Sequence, residues 1–241
     1  MDISLEHAYE LRICDFDRYG RIQPASVLDI FQEIATVQAE DMGIGRAAML
    51  DKGLFWVVVR MKYEVVRQPH LHQRVIARTW PHSMTRLSFM RDYSLCSESG
   101  ELLVKATSEW VVVDVQNRTF ASIADFYDGP TDFCEERSFE RKPKKILSLP
   151  PADVEPSTIV VRYTDVDMNG HANNAKYANY VVDAMDPGQD GAIRTFHIDY
   201  RHEVVQGQEL HVRTAVADDG AIVCSGTDTQ GNVCFACRIE R

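Results

Sequence analysis

The sequence predicts an α+β protein made of two similar halves, each an antiparallel sheet wrapped around a long helix. Two observations support this fold class. A segment near the amino terminus recurs in the second half of the chain, which indicates an internal duplication. Each copy reads as a strand, a turn, one helical pattern and then several strand-like runs. One helix followed by consecutive strands is the order expected when an antiparallel sheet packs on that helix.

The repeat begins at Arg12 and again at Arg162, and its first part aligns without gaps. The two segments read RICDFDRYGRIQPASVLDIF and RYTDVDMNGHANNAKYANYV. The matched pairs are, in chain order, Arg12 with Arg162, Asp15 with Asp165, Asp17 with Asp167, Gly20 with Gly170, Glu64 with Glu203, and Gly100 with Gly231. Because the order is kept while the spacing between the copies shrinks, we expect shorter loops in the second copy.

In the first copy, a helix is predicted to begin at Pro24 and to end near Gly43. Proline is favoured at the first helical position, and glycine commonly follows the end of a helix. Apolar residues recur at helical spacing at Val27, Ile30, Phe31, Ile34 and Ala35. Four strand-like runs follow, namely FWVVVRMKYEVV, QRVIARTW, LSFMRDYSL and LLVKATSEWVVVD, and Ser99-Gly100 supplies a turn between the last two.

In the second copy, Asn173 or Asn174 is predicted to cap the helix, because asparagine is a favoured N-cap residue. The apolar positions of this helix are Ala178, Val181, Val182 and Met185, and Pro187-Gly188 ends it. The strand-like runs that follow are TFHIDYRHEVV, LHVRTAVA, AIVCSGTD and NVCFACRIE. The second copy therefore repeats the order of the first.

Residues 137–156 are predicted to form a linker between an amino-terminal domain, 1–136, and a carboxyl-terminal domain, 157–241. This segment reads RSFERKPKKILSLPPADVEP and is rich in proline and lysine. It contains a local basic cluster of Arg141, Lys142, Lys144 and Lys145. A solvated linker is the simplest interpretation of these charges.

Composition narrows the range of functions. The 241 residues are 45% hydrophobic and 26% charged, which is typical of a globular protein. The formal net charge of −10 disfavours nucleic-acid binding, which usually needs a basic surface. No apolar run approaches the roughly 20 residues of a membrane-spanning helix. The first residues, MDISLEHAYELRI, lack the basic segment and apolar core of a secretory signal, so we expect a cytoplasmic protein.

The six cysteines show no spacing typical of a disulfide framework. We expect reduced thiols, several of them in the core. Cys234 and Cys237 have C-x-x-C spacing, but they lie in a strand-like run, where residues three apart point to opposite faces. Structural zinc sites usually need a second ligand pair, and none is near, so we expect no metal.

The second copy contains a dense group of polar residues between Asp165 and Asn174. A carboxylate, an amide and an imidazole beside the free amides of a helix start could hydrolyse an acyl compound, with the amides holding the oxyanion. The alternative is that these residues only make turns and cap the helix. The first copy has Tyr19 and Arg21 where the second has Asn169 and His171. The second copy therefore carries an addition that suits chemistry.

The pattern D-x-D-M-N-x-H-x-N-N-x-x-Y, from Asp165 to Tyr177, resembles the signature of the acyl-acyl carrier protein (acyl-ACP) thioesterases of plants and bacteria. The resemblance extends to the stretches WVVVRMKYEVVRQP, MRDYSL, ATSEWVVVDVQNR and HIDYRHEVVQGQEL, and so covers nearly the whole chain. It implies that each half is a hotdog fold, so that the chain is a double hotdog. It also implies that the substrate is a fatty acyl chain on the phosphopantetheine of acyl carrier protein.

Transferred by position, the resemblance implies the catalytic residues Asp167, Asn169, His171 and Glu203, with no cofactor. Some family members have a cysteine directly after the position of Glu203, but here that residue is Val204. The amino-terminal domain is expected to shape the acyl pocket, with the first helix and residues 55–59 as candidate walls. The resemblance implies acyl carrier protein as the partner, with the basic cluster as its candidate docking surface, and a homodimer is left open.

The absence of a G-x-S-x-G motif argues against an α/β-hydrolase. Asp167 or Glu203 would activate water as a general base or attack the carbonyl directly, while His171 and Asn169 orient the groups and polarise the thioester. Two alternatives share the fold. One is an acyl-CoA thioesterase, and the other is a noncatalytic acyl-binding hotdog protein.

Overall fold

The computed structural model describes residues 3–131 and 133–241, which form two compact units. The first unit contains the described residues up to Asp15 and the segment Asp29–Pro143. The second contains Phe16–Leu28 and Lys144–Arg241. The boundary between Pro143 and Lys144 falls inside the predicted linker. The segment Phe16–Leu28 belongs to the second unit although it lies near the amino terminus in the sequence. The domain limits 1–136, 137–156 and 157–241 stay predictions.

The first unit is an antiparallel sheet with α1, from its Asp29 onward, and the short α2. The helices are α1 (Pro24–Asp41) and α2 (Arg46–Asp51). The strands are β1 (Leu5–Glu10), β2 (Leu54–Val65), β3 (Arg74–Met84), β4 (Ser88–Ser97), β5 (Leu102–Asp114) and β6 (Phe120–Ala121). Their order is β1-β3-β4-β5-β2, with β6 paired to β5. All four strand-like runs predicted in the first copy are confirmed, whereas α2 and β6 were not predicted.

Helix α1 packs its apolar stripe inward, as its spacing predicts. Phe31 and Ile34 are buried, and the rings of Phe31 and Tyr93 lie 5.0 Å apart, which joins the helix to β4. Gly43 has a φ of +70°, the left-handed conformation that ends helices at little cost for glycine. The predicted helix and its termination are therefore confirmed.

The second unit repeats this plan with a shorter helix. Its elements are β7 (Ser157–Val160), α3 (Lys176–Met185), β8 (Thr195–Tyr200), β9 (Glu209–Val216), β10 (Ile222–Thr227) and β11 (Val233–Glu240). The antiparallel order is β8-β11-β10-β9-β7. The Tyr177 ring on α3 meets the Phe235 ring on β11 edge-on at 5.4 Å, so the helix packs on the sheet.

The predicted cap of α3 is wrong. Ala175 occupies the N-cap position, with no side-chain capping bond. Asn173 lies outside the helix, and its side-chain oxygen accepts a hydrogen bond from the Ala175 amide at 2.9 Å. Asparagine readily closes such local turns as well as capping helices, and its presence before an apolar run does not separate the two roles.

All six cysteines are free thiols, and Cys224, Cys234 and Cys237 are buried, as expected. Across residues 3–131 and 133–241, no helix has the length and apolar character needed to cross a bilayer. Over the same ranges, no group of three or more His, Cys, Asp or Glu side chains is placed to hold a metal ion.

The segment predicted as a linker is bound at intervals to buried carboxylates. In the first unit, the Ser138 amide donates to Asp92 at 2.7 Å, and Lys142 pairs with Glu109. In the second unit, the Ile146 amide donates to Asp199 at 2.7 Å. Buried carboxylates must be satisfied by donors. Residues 138–146 are therefore held in place at these points, and a freely solvated linker does not describe them.

The two copies of the repeat form the same loop. Asp17 and Asp167 each donate their amide to the carbonyl four residues later, at 2.8 and 3.0 Å. Both carboxylates accept the amide two residues later at 2.8 Å. Gly20 and Gly170 follow with φ of +74° and +83°. The predicted equivalence of these two turns is confirmed.

The match of Glu64 with Glu203 is wrong. After β2, His70 and Gln73 exchange hydrogen bonds, with the His70 amide donating to the Gln73 side chain at 3.0 Å. After β8, Val205 and Gln208 make the same exchange, at 3.2 Å. This equivalence places Gln68 opposite Glu203, and Glu203 lies in the loop after β8. The tripeptide E-V-V occurs in both copies, but at positions that are not structurally equivalent. Matching the two tripeptides therefore places the sequence alignment of the copies out of register here.

Replacing Asp17 with Ala should lower the free energy of unfolding by about 1–3 kcal/mol, because the Tyr19 and Arg21 amides lose a charged acceptor. Burial acts to raise the pKa of Asp17, but hydrogen bonds from Arg21 and Tyr19 outweigh it and hold the pKa below its ordinary value of 3.8. A carboxyl with a lowered native pKa stabilises the fold above that ordinary value, and the effect fades as pH falls through the native pKa.

Urea unfolding of both proteins at neutral pH and in acid tests this prediction. The difference between wild type and Asp17→Ala should be largest at neutral pH and shrink in acid. A difference that does not change with pH would contradict the assigned role of the carboxylate.

Candidate active site

A tight loop of the second unit presents three of the predicted residues at alternate positions. It lies between the single turn Tyr163–Asp165 and α3. The Asp167 amide donates to the His171 carbonyl at 3.0 Å, and the Gly170 amide donates to the Asp167 carbonyl at 3.0 Å. A bridge between Val166 and Ala172 closes the base of the loop. Asp167, Asn169 and His171 therefore lie on one short, hydrogen-bonded turn.

Asp167 and Asn169 form the first side-chain pair. One oxygen of the Asp167 carboxylate accepts the Asn169 amide at 2.8 Å. The other accepts the Asn169 side-chain amide at 3.4 Å. Because the carboxylate holds both groups, the Asn169 side chain stays close to Asp167 although it is exposed to solvent.

His171 and Glu203 form the second pair, which joins two loops. The His171 Nε2 atom lies 3.1 Å from Glu203 Oε2, with 25% of the histidine side chain and 41% of the glutamate side chain exposed. The neighbouring residues also hold the loops together, since the Ala172 amide donates to the Val204 carbonyl at 2.7 Å. Val204 itself is fully buried. The structure therefore brings all four predicted catalytic residues into two adjacent pairs.

Tyr177, in the first turn of α3, is a further residue of this region, and the sequence assigns it no role. Burial raises the pKa of the Tyr177 hydroxyl, and the negative charges of Glu203 and Asp167 raise it further. The signal was present in the sequence, because Tyr177 closes the motif that begins at Asp165.

Three of the backbone amides near the start of α3, where the sequence predicted donors for an oxyanion, are engaged within the loop. The amide of Asn173 donates to the Asp165 carbonyl at 2.8 Å, and that of Lys176 donates to the Asn173 carbonyl at 2.9 Å. The Ala175 amide is also occupied, by the Asn173 side chain. These three amides are committed to the loop itself, so Asn169 and His171 are the candidates for polarising a carbonyl.

The equivalent loop of the first copy contains an ion pair instead. Arg21 lies at the position of His171 and contacts the Asp17 carboxylate at 2.7 Å. Its guanidinium also donates to the Gly188 carbonyl at 2.9 Å. Arginine stays protonated and cannot act as a base, and Gln68 stands in place of Glu203. The first loop therefore lacks both members of the His171–Glu203 pair.

The first unit contains a group of apolar side chains, here named the apolar cluster. Its buried members are Ile44, Met49, Phe89, Val112, Ile123 and Tyr127, and its large half-buried members include Trp56, Met84, Trp110, Phe126 and Phe133. From the predicted pocket wall at residues 55–59, Trp56 belongs to the apolar cluster, with its ring 5.8 Å from that of Phe89. Large apolar side chains that are only partly buried are typical of surfaces that receive an apolar ligand.

Solved structures share this fold along the whole chain. A crystal structure of an acyl-ACP thioesterase from Bacteroides thetaiotaomicron superposes with a TM-score of 0.89, at 22% identity, over 98% of this chain and 97% of that one. A 12:0-ACP thioesterase from Umbellularia californica gives a TM-score of 0.86, at 21% identity, over 100% of this chain and 97% of that one. These likenesses confirm the predicted α+β double-hotdog fold.

Sequence comparison agrees with the structural likeness. The chain is 24% identical to an acyl-[acyl-carrier-protein] hydrolase, described as chloroplastic, from Cuphea viscosissima, over 89% of this chain and 55% of that protein. It therefore spans little more than half the length of that relative. The family profile of the acyl-ACP thioesterase N-terminal domain matches residues 3–129, and that of the C-terminal domain matches residues 150–236. On these two matches, the chain belongs to the acyl-ACP thioesterase family.

Proposed function

We propose that the protein hydrolyses the thioester between a fatty acyl chain and the phosphopantetheine of acyl carrier protein, releasing the free fatty acid. The observation that carries this proposal is the 3.1 Å contact of His171 with Glu203, made by two separate loops beside the Asp167–Asn169 pair. The matched relatives carry names of acyl-ACP hydrolases and thioesterases, which supports the same reaction.

The His171–Glu203 pair is suited to proton transfer. A carboxylate that accepts a hydrogen bond from one imidazole nitrogen orients the ring and leaves the other nitrogen available. The pair would take a proton from water as the water oxygen bonds to the thioester carbon. When the carbon–sulfur bond breaks, the same proton would pass to the leaving thiolate, which yields the thiol of phosphopantetheine.

The Asp167–Asn169 pair would act on the carbonyl group. The Asn169 side-chain amide is a donor that Asp167 holds in place, and a held donor stabilises the oxyanion that forms when water adds. Asp167 also remains the alternative leading carboxylate, as general base or as a nucleophile that forms a short-lived anhydride. The acyl chain is assigned to the apolar cluster of the first unit. A cytoplasmic location and a homodimer stay predictions.

Replacing Asp167, Asn169 or His171 with Ala should lower turnover of an acyl-ACP thioester by roughly 100-fold or more, because each change removes a positioned catalytic group. The measurement is thiol release at saturating substrate, with thermal melting as a check on folding. The chain offers a matched control in His211, which contacts Glu209 at 2.9 Å and has 33% of its side chain exposed. His211→Ala should keep near-normal turnover. Normal turnover of folded His171→Ala would refute the proposed site.

Glu203→Gln tests the second pair with minimal change in shape. Glutamine is the residue that the first copy carries at this position, Gln68, so the loop after β8 should tolerate it. The neutral amide cannot take up the proton, and we expect kcat to fall by about 100-fold. Glu209→Gln, which removes the charge from the other histidine–glutamate pair of this unit, should have little effect. Equal losses in both variants would point to a general effect of charge.

The basic cluster is proposed to dock the carrier protein. Arg141 and Lys142 line a cavity of about 230 Å³ in the first unit, together with Phe139 and Glu140. Lys142 is paired with Glu109. No carboxylate within the described ranges pairs with Arg141, Lys144 or Lys145, and all three are exposed. These three cations are therefore the ones available to an acidic partner.

Replacing Arg141, Lys144 and Lys145 together with Gln should raise KM for acyl-ACP substrates severalfold while kcat stays nearly constant. Added salt should have the same effect on the wild type, because it screens exposed charges. Small acyl thioesters without carrier protein are the control and should show little change. An equal rise in KM for both substrate classes would reject the docking surface and leave the enzymatic activity standing. Faster cleavage of acyl-CoA than of acyl-ACP would favour the alternative function, that of an acyl-CoA thioesterase.

A further inference from the structure

The cavity of about 230 Å³ beside the basic cluster lies on the face of the first sheet that is turned away from α1. Tyr93 of β4 contacts Phe31 of α1, so the alternation of the strand places Met90 and Asp92 on the other face. Both line the cavity. All the residues that line it belong to the first unit, whereas the proposed thioesterase residues belong to the second.

A bulge in β3 turns two consecutive residues toward this cavity. The register of β3 with β4 shifts between Pro81 and Ser83, which makes His82 an extra residue of the strand. Neighbouring residues of a regular strand point to opposite faces. Here both His82 and Ser83 line the cavity, because a bulge redirects side chains in this way. The His82 carbonyl accepts a hydrogen bond from the Arg137 guanidinium at 3.0 Å, which holds the bulge in place.

The bulge brings a hydroxyl, an imidazole and a carboxylate into one row. Ser83 Oγ lies 3.2 Å from His82 Nδ1, and His82 Nε2 lies 3.3 Å from Asp92 Oδ1. The histidine side chain is 10% exposed and the aspartate side chain 2%. Nucleophile, base and orienting carboxylate in this order are the parts of a serine hydrolase, which is defined by geometry rather than by sequence position.

Asp92 uses its two oxygens differently. Oδ2 accepts the Ser138 amide at 2.7 Å, which fixes the carboxylate. Oδ1 makes no hydrogen bond with the residues that the structure describes, and it is the oxygen that lies beside His82. A carboxylate beside Nε2 favours the proton on that nitrogen, so Nδ1 is left to accept the Ser83 hydroxyl proton. The same carboxylate stabilises the imidazolium that then forms.

The other residues that line the cavity supply positive charge and an apolar surface. They include Arg137, Arg141, Lys142, Glu140, Phe139 and Met90. The three cations outnumber the one carboxylate of this set, and positive charge stabilises an oxyanion. The aromatic ring and the methionine side chain offer contacts for a short acyl group. Ligand pockets usually have volumes of about 300–1,000 Å³, so this smaller cavity suits a small ester.

We propose that Ser83, His82 and Asp92 form a second hydrolytic site, which cleaves esters of short carboxylic acids. Ser83 Oγ would bond to the ester carbon while its proton passes to His82 Nδ1. The bond from that carbon to the alcohol oxygen then breaks, and the alcohol leaves with this proton. Water adds to the acyl-Ser83 ester and gives a proton to His82 Nδ1, and that proton returns to Ser83 Oγ as the carboxylic acid leaves.

Hydrolysis of p-nitrophenyl acetate by the 241-residue chain tests the second site. Ser83→Ala should lower kcat/KM for this ester by about 100-fold or more, because the nucleophile is lost. Ser88→Ala is the matched control and should keep the wild-type rate. The Ser88 hydroxyl lies in the same hairpin but contacts the Thr85 hydroxyl at 2.9 Å. Thermal melting checks that both variants are folded.

The two proposed sites are separated by crossing the variants with the substrates. Ser83→Ala should keep wild-type turnover of acyl-ACP, and His171→Ala should keep wild-type hydrolysis of the small ester. Phenylmethanesulfonyl fluoride, which sulfonylates activated serines with loss of fluoride, gives a readout that does not depend on turnover. Peptide mapping by mass spectrometry should find its adduct on Ser83 in the wild type and in Ser88→Ala.

Equal ester hydrolysis by the wild type and by folded Ser83→Ala overturns the second site, as does the absence of an adduct on Ser83. Loss of ester hydrolysis in His171→Ala would assign that reaction to the second unit and also overturns it. None of these results bears on acyl-ACP cleavage. A wild type that cleaves the ester through Ser83 but cleaves no acyl-ACP thioester would overturn the proposed function and keep the second site.

Discussion

The hydrogen bond from the Ala172 amide to the Val204 carbonyl, 2.7 Å long, is the contact on which the site depends. It joins the loop that carries Asp167, Asn169 and His171 to the loop that follows β8. Because Val204 is fully buried, water cannot compete for this bond, and it positions the residues on either side of it. His171 precedes the donor and Glu203 precedes the acceptor, so the bond sets both members of the proposed proton-transfer pair at contact distance.

The duplicated chain contains two copies of one loop, and the copies differ in which polar side chains they present. In both copies a carboxylate binds the amide two residues later, so the backbone shape is the same. In the first copy the carboxylate is also neutralised by Arg21. In the second, Asn169 and His171 replace the aromatic ring and the fixed cation. The same stable turn therefore serves both copies, and a few side-chain differences around it give the second copy the groups that we propose transfer protons and polarise a carbonyl.

The first unit provides a sheet whose inner face changes character along its length. Phe89 and Trp110 continue the apolar cluster, while Tyr93 and Ala106 belong to closed core. Arg91 stands between them and is satisfied by neutral acceptors, an arrangement that costs desolvation free energy. Buried carboxylates on the strands of both units bind residues 138–146. The polar composition of that segment did not suggest these contacts.

The sequence by itself determined the fold class, the order of the long helices and main strands, and the segment to which we assign the chemistry. Hydrophobic periodicity and the repeated loop are properties of short segments. They can be recognised in the sequence because they do not depend on contacts between distant parts of the chain. Only the tertiary structure decided which residue of the first copy corresponds to Glu203, which amides near α3 are engaged by the loop, and where Tyr177 and Arg91 lie. These depend on hydrogen bonds and strand register between segments distant in sequence. A three-residue match such as E-V-V carries no information about which strand neighbour or loop partner its carboxylate will meet.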